Sequence, residues 1–239
     1  MKKNYEMDMC SGPILGKLLT FTIPLIFSGI LQLLFNAADV IVVGRFAGSQ
    51  SLAAVGSTTA LINLMINIFI GLSVGVNVIV ARYYGAKREK DVQDTIHTAM
   101  ALSIVSGLFL IIVGQLLSRP MLELMGTPDD VIDKSTIYMR IIFIGMPANM
   151  IYNFGSAILR AVGDTKRPLY FLTAAGVINV VLNLFFVIMF RMDVAGVALA
   201  TAISQAISAF LVILCLMESE GSLKLHLKDL KIHRSKFRQ

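Results

Sequence analysis

The chain has 239 residues, of which 56% are hydrophobic and 15% are charged, and its mean hydropathy is +0.76. This composition excludes an ordinary soluble domain, and it makes cytoplasmic loops a better explanation of the net charge of +6 than nucleic-acid binding. Cys10 and Cys215 have no metal-ligand spacing, and His97, His226 and His233 belong to no nucleophile or haem pattern. The sequence therefore predicts a membrane protein that is not an enzyme and uses no cofactor.

Six apolar segments are each long enough to cross ~30 Å of hydrocarbon as a helix. Turn signals such as GRFAGSQS, YYGAKREKD, SRPMLELMGTPDD and VGDTKRP separate them. We predict an all-α membrane protein with a six-helix bundle in residues 1–217, followed by a basic amphipathic cytoplasmic linker in residues 218–239. The predicted spans are 15–43, 52–80, 95–117, 136–159, 168–190 and 194–217.

The first span carries Asp39 within the apolar stretch NAADVIVV, in the outer half of the span. An unpaired acid in lipid costs at least ~2.5 kcal/mol, so a specific reason must retain it. Handling of an ion or a proton is our interpretation. A structural ion pair with Arg45, six residues further on, is the alternative.

Polar side chains recur at helical spacing in the first, second and fourth spans, so each set shares one helix face. Together they predict a partly wet cavity, with hydrogen bonding between helices as the alternative. Pro24 and Pro147 precede two of the sets, and each frees a backbone carbonyl, which makes them candidate hinges. The polar residues are Gln32 and Asn36, then Asn63, Asn67 and Asn77, then Asn149 and Asn153.

The fifth and sixth spans place further oxygen donors at the predicted depth of Asp39. Asn179 and Asn183 share one helix face, and both Asn183 and Thr201 should lie ~10 Å below the outer end of their spans. Such donors suit a hard cation such as Na⁺, and a lone carboxylate suits a proton. We therefore predict a coupling site, with a Na⁺ site at these four residues as one form of it. Interhelical hydrogen bonding alone is the alternative for the two amides.

The tail SLKLHLKDLKIHRSKFRQ places Leu223, Leu227 and Leu230 on one helical face with lysines beside them, which predicts an interfacial amphipathic helix. A solvated basic linker is the alternative. Most basic residues fall at the end of the bundle that holds both termini, so the positive-inside rule predicts a multi-pass inner-membrane protein with both termini in the cytoplasm. The basic residues of the opposite end are Arg45, Arg119, Lys134, Arg140 and Arg191.

The motifs resemble those of the multidrug and toxic compound extrusion (MATE) family in order and spacing. The similar stretches extend over nearly the whole chain and include IPLIFSGILQLLFNAADVIVVGRFAG, SLAAVGSTTALINL, ARYYGAKR, LRAVGDTKRPLYF, GVINVVLNLFFV and GVALATAISQ. The resemblance implies a twelve-helix secondary transporter with two six-helix lobes around a central cavity. Such a transporter admits Na⁺ or H⁺ and exports small organic, often cationic, compounds.

The resemblance also implies roles for individual residues. Asp39 is similar to the family's first-helix acid, Asn179 to an amide that helps to hold the cation, and Thr201 to a hydroxyl of the sixth helix. Gln32 and Asn153 would face the substrate cavity.

The chain departs from the family pattern at Asn183. Many prokaryotic members have an acid four residues after the fifth-helix Asn, whereas NVVLN has a neutral amide there. The loss of a charge should lower the affinity for Na⁺, which favours proton coupling through Asp39 alone and leaves the choice of ion open.

The chain also has one set of six helices where the family has two. We therefore expect an N-terminal lobe whose partners are the lipid bilayer and either a missing second lobe or a second copy of the chain. A non-transporting fragment and a flippase for lipid-linked precursors, from the same wider superfamily, are the alternatives.

Overall fold

The computed structural model describes residues 14–231. Cys10 and His233 therefore lie outside the described residues, as do residues 1–13 of the predicted lobe and 232–239 of the predicted linker. Within that range the architecture is all-α and has no strand, which confirms the predicted fold class. Two π-helical turns, Val43–Ala47 and Phe185–Met189, follow the first and sixth helices. The α-helices are α1 (Ile14–Val42), α2 (Ser49–Gly85), α3 (Glu89–Leu124), α4 (Asp129–Ile144), α5 (Met146–Ala161), α6 (Lys166–Leu184) and α7 (Asp193–Glu218).

By length and composition, the described helices supply five membrane spans, or six if the bent pair of α4 and α5 is counted as one span. Five helices are individually long and apolar enough to cross a bilayer, whereas α4 and α5 pass this test only as a pair, which is bent by 47°. The predicted fourth span, 136–159, is therefore two helices rather than one. The break lies at Gly145, and Pro147 in the first turn of α5 has no N–H with which to continue the ladder of α4.

The third span is longer than predicted at both ends. Residues 95–117 are the centre of α3, which continues through Pro120 to Leu124, so the predicted SRPMLELMGTPDD turn shortens to residues 125–128. Arg119 supports this last part of the helix because it pairs with Glu123 one turn later, at 3.0 Å, and with Asp133 of α4, at 2.9 Å.

The centre of the bundle is α5, which packs against α2, α3 and α7, whereas α1 packs mainly against α6. The contact between α1 and α6 is close because Gly176 meets the ring of Phe35. A Cβ atom on Gly176 would lie 1.9 Å from Phe35 Cε2, so only glycine fits there without a shift of the ring. Elsewhere α1 exposes large apolar side chains such as Leu33 and Ile41, as expected of a helix surrounded by lipid.

The amphipathic helix predicted for the tail is wrong for residues 219–231. This segment forms two short 3-10 turns, Gly221–Leu223 and Leu227–Asp229, with extended residues between them. Leu223 and Leu225 are both buried, whereas Leu227 is exposed. The tail therefore buries its first two leucines against the bundle and forms no continuous apolar helix face over residues 219–231.

Backbone hydrogen bonds attach this tail to two helices. The N–H of Leu225 donates to the carbonyl oxygen of Leu216 in α7, at 3.0 Å. The N–H of His226 donates to Nε2 of the buried His97 in α3, at 3.1 Å, and the two imidazole rings are stacked. Sequence spacing gives no sign of this contact because 129 positions separate the two histidines.

Candidate functional site

The structure brings the four residues of the predicted coupling site into one hydrogen-bonded chain. Asn183 Nδ2 donates to the Asp39 carboxylate and to Asn179 Oδ1, the latter at 3.2 Å. Asn179 Nδ2 donates to Thr201 Oγ1 at 3.3 Å, and Thr201 Oγ1 donates to the carbonyl oxygen of Val197 at 3.0 Å. The chain of bonds joins α1, α6 and α7.

The amide of Asn183 is buried and only partly satisfied. Asn183 is 0% exposed and Asn179 is 5% exposed, whereas Asp39 and Thr201 are half-buried. The Oδ1 atom of Asn183 has no hydrogen-bond partner among the described residues, although the Nδ2 atom of the same amide contacts Asp39. An unsatisfied buried oxygen is costly, and a cation or an acidic proton beside the carboxylate would satisfy it.

Asp39 forms no ion pair within residues 14–231, so the alternative pairing with Arg45 is not found. Arg45 is exposed in the π-helical turn that follows α1. Thr201 and the buried Tyr138 of α4 lie close enough to the Asp39 carboxylate to interact with it. The described residues that act on the acid are therefore polar and include no cation.

Two π-helical turns flank the site, and no sequence signal predicted them. Val43–Ala47 begins one turn after Asp39, and Phe185–Met189 begins two residues after Asn183. The two segments contact each other. Such π-helical turns are rare and recur at functional sites, so their position supports a functional role for this end of α1 and α6.

The predicted cavity residues fall into two groups. Asn153 is half-buried on α5, where its Nδ2 donates to Asn149 Oδ1 at 2.8 Å. Asn77 Nδ2 donates to the carbonyl oxygen of Ala157 at 2.8 Å, so this amide joins α2 to α5 and fits the alternative of interhelical hydrogen bonding. The other residues are exposed and are not enclosed by the described helices: Gln32, Asn36, Asn63 and Asn67.

The two candidate hinge prolines lie in different settings. Pro24 is buried inside α1, which continues through it as α-helix, and its carbonyl oxygen accepts a 2.8 Å hydrogen bond from Ser28 Oγ. Pro147 lies at the break between α4 and α5, against Gly107 of α3.

Sequence reasoning missed a polar cluster at the end of the bundle near Asp39. Lys134 Nζ of α4 pairs with Asp193 Oδ2 of α7 at 2.7 Å and donates to Ser51 Oγ of α2 at 3.1 Å. The Ser51 hydroxyl also donates to Asp193 Oδ1. The cluster joins α2, α4 and α7 near their first residues. The sequence contains no local pattern for it, because its members are distant in the chain.

Comparison with known proteins shows which family this architecture matches. A family model described as MatE matches residues 24–185. The probable multidrug resistance protein YoeA of Bacillus subtilis is 35% identical over 198 residues, which are 81% of this chain and 42% of that protein. The FAD transporter of Shewanella oneidensis is 27% identical over 205 residues, which are 84% of this chain and 45% of that protein.

Solved structures give the same result. The chain superposes on a crystal structure of MATE in the bent conformation with a TM-score of 0.86 and 25% identity, covering 93% of this chain and 50% of that one. The chain thus spans about half the length of the relatives and structures that it matches. Because the family model covers more than half of this chain, the chain belongs to the MatE family of multidrug efflux transporters.

Proposed function

We propose that the chain forms a six-helix lobe of a secondary antiporter that exports small organic, often cationic, compounds in exchange for Na⁺ or H⁺. The observation that carries this proposal is the hydrogen-bonded series of Asp39, Asn183, Asn179 and Thr201, with an unsatisfied amide oxygen beside the carboxylate. Relatives named as multidrug resistance proteins support the substrate class.

Asp39 would carry the coupling through its contact with Asn183. The ionised carboxylate accepts a hydrogen bond from Asn183 Nδ2. A protonated Asp39 instead has a hydroxyl to donate, and the unsatisfied Oδ1 of the same amide is an acceptor for it. Bound Na⁺ would likewise require oxygen atoms rather than N–H groups around it. Binding of either ion therefore favours a rotated Asn183 amide and a different contact between α1 and α6.

The helix that carries Asp39 is suited to respond to this change. α1 packs mainly against α6, and only Pro24, Ser28 and Val42 are buried along its length. Altering the hydrogen bond between Asp39 and Asn183 therefore alters one of the few polar contacts that hold α1. Pro24 is the point at which α1 lacks one hydrogen bond of its ladder, so we propose that the helix adjusts there.

The choice between the two ions follows from charge. The four donors supply a single carboxylate, because Asn183 is neutral. The affinity of an oxygen site for a cation is lower when fewer of its ligands are charged. We therefore favour proton coupling through Asp39. Efflux driven by a Na⁺ gradient would show instead that Na⁺ is the coupling ion.

Everted membrane vesicles from cells that express the complete reading frame containing this chain would test the proposal. We expect Asp39→Asn to abolish the uptake of a cationic dye into these vesicles, which corresponds to export from the cell, when a pH or Na⁺ gradient drives it. The matched control is Asp129→Asn, an exposed acid at the first residue of α4. Retained ion-driven efflux in the Asp39 variant would overturn the proposal, and the gradient that drives the wild type identifies the ion.

The same measurement separates the remaining alternatives. A flippase for lipid-linked precursors would move such a lipid and leave the dye in place. A non-transporting fragment would move neither. We further propose that both termini face the cytoplasm and that the lobe works beside a second six-helix lobe or a second copy of itself. Reporter fusions at each terminus and cross-linking in membranes would test these two points.

A further inference from the structure

Most of the circumference of α5 is occupied by neighbouring helices. Pro147 lies against Gly107 of α3, and Gly155 lies against Val212 of α7. The directions of these contacts fix the orientation of the helix, because successive residues turn by about 100°.

The remaining sector of α5 faces the space between α2 and α6. Ala157 points to α2, since its carbonyl oxygen accepts the bond from Asn77, and Tyr152 points to α6, since its hydroxyl donates to the carbonyl oxygen of Pro168 at 3.1 Å. At about 100° per residue, Arg160 lies between these two directions. It shares the sector with the polar residues Asn149, Asn153 and Ser156.

Arg160 is a cation without a counterion in this sector. Its side chain forms no hydrogen bond or ion pair with any residue of the range 14–231, and its Nε atom is buried. The nearby Asp164 carboxylate, which is 1% exposed, is already engaged by the side chain of Arg167 and by the backbone N–H groups of Lys166 and Arg167. A guanidinium that is half-buried and unpaired is costly and calls for a partner.

We propose that Arg160 is the centre of an oxyanion-binding site at the end of the α5 polar sector, and that its ligand is a phosphate group. The planar guanidinium offers a fork of N–H donors that matches two oxygen atoms of a phosphate. The Tyr152 phenol lies beside Arg160 and Ser156, so hydroxyl groups adjoin the cation. The exposed Lys166 adds positive charge at the same end of the bundle.

A phosphate group could come from either of two sources, and the guanidinium would bind its oxygen atoms in the same way in both. One is the headgroup of an anionic phospholipid, since Arg160 lies in the last turn of a helix in a membrane-spanning pair. The other is a soluble phosphate ester that enters the space between α2 and α6. The site does not depend on ion coupling at Asp39, and binding rather than transport is the property to be measured.

The test uses the purified 239-residue chain and two variants. Arg160→Gln removes the charge, and Arg82→Gln removes an exposed arginine from the last turn of α2 at the same end of the bundle. In the soluble arm, glycerol 3-phosphate is titrated into the chain in maltoside micelles by calorimetry. In the lipid arm, retention of phosphatidylglycerol is measured by native mass spectrometry.

We expect one arm to show binding that weakens about tenfold or more in Arg160→Gln and is unchanged in Arg82→Gln, because a charge-assisted hydrogen bond is lost only in the former. The arm that responds identifies the source. Absence of wild-type binding in both arms, or equal binding by wild type and Arg160→Gln, would overturn the site.

A second measurement on the wild type covers the case in which Arg160→Gln does not fold. Phenylglyoxal modifies arginine side chains, and peptide mapping gives the modified fraction of each. Bound phosphate or phosphatidylglycerol should slow the modification of Arg160 several-fold and leave Arg82 unaffected. Modification of Arg160 that is the same with and without both ligands would contradict the proposal.

Discussion

Asn183 on α6 donates a hydrogen bond from its buried amide to the carboxylate of Asp39 on α1, although 144 positions separate the two residues in the chain. This contact joins α1 to its principal neighbour in the bundle. The amide nitrogen also donates to Asn179, while the amide oxygen has no partner among the described residues. Under the proposed coupling, a proton or cation bound at Asp39 would reorganise this pair, because the free amide oxygen is then the better partner.

Replacing the donor tests the structural importance of this contact. Asn183→Ala removes the hydrogen bonds to Asp39 and Asn179, so a half-buried carboxylate and a buried amide oxygen each lose a donor. We expect the free energy of unfolding to fall by about 1–3 kcal/mol, measured as thermal unfolding in detergent micelles. Asn63→Ala, at an exposed amide of α2, is the control and should be neutral. Equal melting of the Asn183 variant and the wild type would show that the contact adds nothing to stability.

Adding a charge at the same position tests the role of the neutral amide. Asn183→Asp places a second carboxylate beside Asp39 and keeps the oxygen donors of Asn179 and Thr201. We expect the affinity for Na⁺ to increase by about tenfold or more, because ligand charge tunes the affinity of oxygen sites. Thermal stabilisation by NaCl relative to choline chloride would measure it. An unchanged response to Na⁺ would mean that these residues do not form a cation site.

The close contact between α1 and α6 predicts a steric effect. In Gly176→Ala the new methyl group would overlap the ring of Phe35, which must move. Such overpacking should cost about 1–3 kcal/mol of stability. The matched control is Gly71→Ala in α2, where nothing lies within 4 Å of the new Cβ atom. Alanine there should be neutral or should stabilise the helix by up to ~1 kcal/mol. The stability of each variant is measured from its unfolding midpoint. Equal midpoints for Gly176→Ala and Gly71→Ala would contradict the close contact between Gly176 and Phe35.

The attachment of the tail can be tested by hydrogen exchange. His97→Ala removes the acceptor for the N–H of His226, so we expect the amides of Leu225 and His226 to exchange about fivefold faster, as for the loss of ~1 kcal/mol. His226→Ala is a demanding control, because the bond uses the backbone N–H of His226 and should survive the loss of its side chain. Faster exchange in both variants to the same extent would point instead to the stacked rings as the source of the attachment.

Much of the fold could be read from the sequence because the bilayer restricts the possibilities. Apolar segments of about 20 residues must cross as helices, since backbone groups in lipid need internal partners. The break at Gly145 and the extent of α3 through Pro120 escaped this reasoning. Both depend on local contacts, such as Pro147 against Gly107 and Arg119 with Glu123 and Asp133, that hydropathy does not record.

The residues of the candidate site were predictable to a similar degree. The rise of an α-helix fixes the depth of each residue, so Asp39, Asn183 and Thr201 could be placed at one level before their contacts were seen. Depth and helical spacing leave open which neighbour lies opposite each part of a helix face. Asn77 bonds to the backbone of α5, whereas Asn63 and Asn67, on the same face of α2, are exposed.

The sequence by itself determined that six apolar segments are long enough to cross a membrane, that an acid lies in the first of them, and that two others carry oxygen donors at its predicted level. Only the tertiary structure decided which atoms meet, such as the amide of Asn183 with Asp39 and His97 with the tail. It also showed that Arg160 has no hydrogen-bond partner among residues 14–231. The reason is physical. Hydropathy and helical rise are properties of each segment alone, whereas helix rotation and close approach are decided by packing against distant segments.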